Sequence, residues 1–113
     1  MARPTGARLI AAERRRQIEV EGWTAEHDRR HSRGELAMAA QAYVDTARKA
    51  QAAAKGKLKL QADFWKLSPP AAWPWALSCW KPADHPVRNL VKAGALIAAE
   101  IDRILNEQEP SNG

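Results

Sequence analysis

Two groups of residues in this 113-residue chain have the side chains for chemistry. The first is His27, Asp28, His31 and Glu35, an HDxxH segment followed by a carboxylate four residues on. On one helix His27, His31 and Glu35 share a face, and two imidazoles with a carboxylate suit zinc or manganese, the metals of a nucleotide phosphohydrolase. The same stretch contains Ser32-Arg33-Gly34-Glu35, which matches a capping box: the serine hydroxyl takes a free amide of the first turn and the glutamate reaches back to the cap. A helix start between His31 and Glu35 breaks the shared face, so Glu35 is either cap or ligand. The second group is aromatic and basic: Trp23, Trp65, Trp73, Trp75 and Trp80, with Arg14, Lys81, Arg88 and Lys92. Indoles stack on nucleobases and cationic groups grip phosphates, which together make a nucleotide site. The competing expectation is that an alanine-lined bundle uses these tryptophans as bulk.

The elements that must position these residues are helical. Residues 8–21 alternate charges with Leu9, Ala11, Ala12, Ile18 and Val20 and meet Gly22, a helix stopped by a glycine. Gly22 to His31 is polar and aperiodic, a loop or short helical turn. A long helix follows the capping box, with Leu36, Ala39, Ala40, Tyr43, Ala47 and Ala50 forming a narrow small-residue stripe, and ends at Gly56. Its partner must therefore supply the bulk. Lys57-Leu58-Lys59-Leu60 alternates for too few residues to predict a strand. From Leu67 to Pro86 the chain holds five of its seven prolines and three of its five tryptophans, so an ordered loop packed on the helices is expected.

Asp84 is the expected cap of the last helix, with Pro86 in its first turn. Leu90, Gly94, Ile97, Ile101 and Ile104 are spaced by 4, 3, 4 and 3, an a/d-like seam flanked by Val91, Leu96 and Leu105, with Gly94 marking a close approach by another backbone. The two long helices, each of roughly 34 Å, exceed the width of about 26 Å expected of a domain this size. Overhanging seams are usually buried by a second subunit, so a homo-oligomer is expected. The fold class is all-α: a small bundle of three main helices with a Pro/Trp-rich ordered loop between the second and last long helices. One domain spans residues 1–113, with 1–7 and 108–113 as flexible ends.

Composition narrows the function. No apolar run approaches the 18 residues of a membrane span, and the N-terminus has no secretory-signal pattern, which makes the expected location cytoplasmic and the membrane no partner. Cys79 is alone and has no CxxC neighbour, so it reads as a small packing residue. The net charge of +5 lies in residues 1–57, and only Arg14-Arg15-Arg16 is clustered. A solvated helix face accounts for that excess, so nucleic acid is not the expected partner. The motifs GxxxxGK[ST], GxGxxG and GxSxG are absent. Glu35 has no carboxylate near it on its helix before Asp45, and Glu100 and Asp102 lie on different faces, unlike the acidic helices of magnesium-dependent pyrophosphatases.

Several blocks together resemble a family of small proteins from tailed phages and prophages, mostly without assigned function. They are Glu13-Arg14-Arg15-Arg16-Gln17-Ile18, Glu21-Gly22-Trp23-Thr24, His27-Asp28, and Gly34-Glu35-Leu36-Ala37 with Ala39-Ala40 and Tyr43. Trp73-Pro74-Trp75, Trp80-Lys81-Pro82 and the long run from Arg88 to Ile101 complete them. The stretch from Arg14 through Gly22-Trp23-Thr24 to Tyr43 is similar, more loosely, to the ryanodine-receptor repeat domain. The resemblance implies a phage accessory protein in an infected bacterium that binds a nucleotide-derived ligand without chemistry or cofactor, a sponge for the cyclic nucleotide signals of CBASS or Thoeris-type immunity. In that reading Trp23, Trp75 or Trp80 stacks on a base, Arg14, Arg88 and Lys92 meet phosphates, and Thr24 and His27 hydrogen-bond base or ribose. Trp65 and Trp73 are left to packing. A protein-interaction module that offers the last helix's seam to a host factor is the remaining alternative.

Overall fold

In this computed structural model the described residues are 3–54 and 69–108. They form four α-helices: α1 (Gly6–Glu19), the short α2 (Ala25–Arg29), α3 (Glu35–Ala54) and α4 (Pro86–Gln108). This is the expected all-α bundle of three long helices. α4 is its axis, packed along α3 and also against α1 and α2. The expected helix stop at Gly56, the Lys57 to Leu60 alternation, Trp65, and residues 1–2 and 109–113 of the expected flexible ends lie outside the described residues.

α1 begins two residues earlier than expected, because the Thr5 hydroxyl accepts the Arg8 N–H at 3.2 Å and caps it. Residues 5–7, read from sequence as a flexible end, are thus a cap and a first turn. Beyond α1, Gly22 adopts φ 75°, a conformation glycine enters without steric cost. The chain folds back there, and the Trp23 N–H donates to the Gln17 carbonyl at 2.9 Å. The next residue, Thr24, caps α2 by accepting the His27 N–H at 3.3 Å. Gly22-Trp23-Thr24 is therefore a corner that reverses the chain, places an indole and starts a helix in three residues.

α3 begins at Glu35, after Gly34 at φ 83°. The expected capping box is displaced by one residue: the Glu35 carboxylate accepts the Arg33 N–H at 2.6 Å, not that of Ser32. Leu36, Ala39, Ala40, Tyr43 and Ala47 are buried, as their stripe predicts. They form the core with Ala93, Leu96 and Ala99 of α4 and with Trp80 from the loop, while Trp73 and Trp75 pack on its edge. Alanine surfaces let the two long helices approach closely, and the tryptophans fill the volume that alanines leave.

Side chains on both sides of its first turn hold the start of α4. The His85 ring Nδ1 accepts the Val87 N–H at 3.2 Å, one residue beyond the expected cap Asp84. Asn89, only 1% exposed, accepts the Ala83 N–H at 2.7 Å and donates to the Ala83 carbonyl at 3.0 Å. That two-pronged clamp ties the loop to the helix.

The apolar seam of α4 does not face the core. Leu90, Ile97, Ile101 and Ile104 are 39 to 52% exposed, as are the flanking Val87 and Leu105. The buried face carries Asn89, Val91, Ala93, Ala95, Leu96, Ala99 and Arg103 instead. Sequence periodicity identified the greasy stripe, but the protein turns the opposite face inward, where small residues admit α3 and polar residues find specific partners. Arg103 illustrates this, being buried between Glu100 at 2.5 Å and Glu107 at 2.6 Å. At Gly94 the close approach comes from a side chain, not the backbone expected: a β-carbon there would lie 2.5 Å from Ile10 Cδ1 of α1.

Candidate functional site, two hollows that share Trp23

Two hollows meet at the Gly22-Trp23-Thr24 corner. One, about 230 Å³, is lined by Glu13, Arg16, Gln17 and Glu21 of α1 and its end, by Tyr43, Lys92 and Leu96 of the long helices, and by Trp23, Ser78, Cys79 and Lys81. The other, about 250 Å³, is walled by Trp23, His27, His31, Trp73, Trp75 and Cys79. Trp23 and Cys79 belong to both. The first is charged and the second aromatic.

The charged hollow is organised by Glu13, which is 2% exposed. Its carboxylate accepts Arg16 Nε at 2.8 Å and a second Arg16 nitrogen at 2.9 Å, and it takes Arg88 from α4 at 2.5 Å. Burial pushes this carboxyl up, but the hydrogen bonds from Arg16 and Arg88 outweigh it and hold the group below its ordinary value. The bonds to Glu13 and Glu21 raise Arg16 in turn. Lys92 donates to the Lys81 carbonyl at 2.8 Å and lies 5.6 Å over the Tyr43 ring. Burial, with Arg88 beside it, holds Lys92 below the ordinary lysine value, whereas burial pushes the Tyr43 phenol up to about 12. A second anion beside Lys92 would relieve both the burial cost and the repulsion.

Gln17 is the unfinished part of this wall. It is 2% exposed, its Nε2 donates to Glu13 at 3.3 Å, and its Oε1 has no partner. Turning the amide over would set Oε1 against the carboxylate, so Glu13 fixes the free atom as an acceptor. A ligand N–H or O–H matches it.

In the aromatic hollow, Trp23 stacks on His27 with centroids 6.0 Å apart and planes at 6°. The His31 ring lies 5.0 Å from His27 and 5.1 Å from Trp75. His27 Nδ1 donates to Asp28 at 3.0 Å, and the buried Asp28 is held from behind by Arg14 at 3.0 Å. An imidazole fixed through Nδ1 leaves its Nε2 lone pair for a ligand. Trp73 Nε1 donates to the Ala76 carbonyl at 3.1 Å, while the buried Trp75 Nε1 has no partner. The hollow thus offers indole faces and an acceptor nitrogen, with the unpartnered Trp75 Nε1 buried in its wall.

Of the site residues expected from sequence, Trp23, His27 and Trp75 converge in the aromatic hollow, Trp23 and Lys92 line the charged one, and Arg88 reaches the latter through Glu13. Three others are placed differently. Thr24 spends its hydroxyl on capping α2, and Arg14 pairs with Asp28 and with the Trp23 carbonyl at 3.4 Å. Trp80, 5% exposed, is inside the core between Tyr43 and Trp73, so Trp73 takes the place at the hollow that Trp80 was expected to have. His27, Asp28, His31 and Glu35 do not form the expected metal set. α2 ends at Arg29 and the chain turns before α3; the His27 and His31 rings stay 5.0 Å apart, but His27 Nδ1 is taken by Asp28 and His31 lies 3.5 Å from Glu35. Among the described residues no group of three or more His, Cys, Asp or Glu is arranged to hold a metal ion.

Sequence reasoning missed Glu13, Arg16, Gln17 and Glu21. Their signal was present in α1, where Glu13 and Gln17 stand four apart on a helix with few large apolar residues to bury. Comparison with protein families, curated proteins and solved structures finds no match to the chain.

Proposed function

We propose that the protein binds and sequesters a small nucleotide-derived molecule, without transforming it. The observation that carries this reading is the common wall: an aromatic hollow and a cation-bearing hollow share Trp23 and Cys79. Together their volumes fall within the range of small-ligand sites. The base occupies the aromatic side, where Trp23, Trp73 and Trp75 supply faces and edges and Trp75 Nε1 and His27 Nε2 supply a donor and an acceptor. The phosphate meets Lys92, Lys81 and Arg16, and the free Gln17 oxygen takes a hydroxyl or amine of the same ligand. In the infected bacterium that the sequence resemblance implies, capture by a protein in excess over its ligand is enough to silence an immune signal.

The test is a retention experiment. The protein is incubated with a panel of cyclic di- and trinucleotides and cyclic ADP-ribose isomers, freed of unbound compound and heat-denatured, and the supernatant is analysed. The expected result is one panel member released intact, with retention lost in Trp75→Ala and Lys92→Ala. A chemically altered compound would overturn binding without turnover, and no retention of any member would overturn the nucleotide reading.

A further inference from the structure

Among the described residues, a long run of exposed apolar side chains lies on the outward side of the longest helix. Val87, Leu90, Gly94, Ile97, Ile101 and Ile104 recur at spacings of 3, 4, 3, 4 and 3 over nearly the whole of α4. The five large members are each about half exposed. A strict 3.5-residue repeat keeps one stripe in register only with another helix running alongside, and in globular packing the stripe faces that helix. Here the chain's own long helices take the other faces of α4. Within the stripe, Gly94 is the position that α1 covers, with Ile10 seated on it, and the five large members are the open part.

We infer that this face is the contact between two copies of the chain, paired α4 against α4. Three observations select a second copy as the occupant. The first is chemistry: every member of the stripe is uncharged, and its acidic neighbours Glu100 and Glu107 are paired with Arg103 of the same helix, so the face fits an apolar partner. The second is self-complementarity. The surface that fits a heptad seam is another heptad seam, and α4 has the only such seam among the described helices. The third is area: the stripe with Leu105 exposes on the order of 400 Å² of apolar surface, a patch of the size that is often functional, and two copies with their flanking residues reach the roughly 1,000 Å² of a specific interface. The contact is independent of the ligand reading, because the hollows lie on the inward side of α4.

The test is light scattering coupled to size exclusion, from about 1 to 100 μM. The full chain is expected to elute at twice its 12.5 kDa. The double variant Ile97→Lys and Ile101→Lys is expected at the mass of one chain with its helical circular dichroism unchanged, since both side chains already meet solvent. Should that variant lose helicity, Ile101→Gln decides, with an expected rise in the dimer dissociation constant of tenfold or more. A full chain that stays at one chain's mass at 100 μM overturns the inference, as does a dimer of either variant as tight as the wild type.

Discussion

α3 and α4 are long helices of one bundle with matching periodicity, and they use it in opposite ways. In α3 the stripe of Leu36, Ala39, Ala40, Tyr43 and Ala47 is the buried face. In α4 the stripe of Leu90, Ile97, Ile101 and Ile104 faces outward, while Asn89 and Arg103 are buried. The difference teaches that a periodic pattern reports which face of a helix is apolar and leaves open who covers it. α3 buries one polar side chain besides Tyr43, that of Thr46, and no charged one. α4 buries Asn89 and Arg103, and its part-exposed Arg88 meets Glu13 across 75 residues of sequence.

The sharpest way to break this comparison is to truncate each stripe in turn. Leu36→Ala removes a fully buried side chain beneath Tyr43 and Trp80, and should cost about 2–5 kcal/mol in urea unfolding. The matching truncation Ile104→Ala in α4, measured in the monomeric Ile97→Lys and Ile101→Lys background, should stay within about 0.5 kcal/mol. Equal costs would mean that α4's outer face is buried within one chain.

Between those extremes fall changes that test α4's polar interior. Glu13→Gln leaves Arg88 without its anion and Arg16 with Glu21 alone, and should destabilise by about 1–3 kcal/mol, a figure kept low because both arginines are partly solvated. Its pH signature has a definite sign. A carboxyl held below its unfolded value of 4.5 contributes stability that is complete above that pH and is lost as the pH falls through the folded value. The wild type should therefore lose stability on acidification below about pH 4.5, and Glu13→Gln should flatten that slope. Asn89→Ala removes both bonds to Ala83 and should cost about 1–2 kcal/mol by chemical unfolding, with increased hydrogen exchange in residues 80–85.

The helical elements were legible in the sequence because each rests on local signals: a repeat of 3.6 or 3.5, a proline in a first turn, a glycine after a last one. The bulk-for-alanine argument anticipated that tryptophans fill the core but assigned that role to Trp73, whereas Trp80 is the one enclosed. What stayed hidden depends on which residues meet across distance. Glu13 and Gln17 read as ordinary members of a charged helix until Arg88 and Lys92 are brought over them. Trp73 and Trp80 could not be told apart, since both are indoles in one proline-rich loop and only the three-dimensional path decides which is enclosed. The metal set failed for a local reason, because each carboxylate pairs with one ring, Asp28 with His27 and Glu35 with His31.

The clamp from Asn89 to Ala83 makes the loop and α4 share one angular origin. Each residue of an α-helix turns the chain by about 100°, so a single insertion or deletion between 83 and 89 would swing the rest of α4 by that angle while its start stayed anchored. Lys92 and Leu96 would leave the hollow and the core, and part of the outward stripe would rotate inward. The length of this spacer is thus the molecule's gauge of inside and outside, and it should tolerate substitutions far better than any change in residue count.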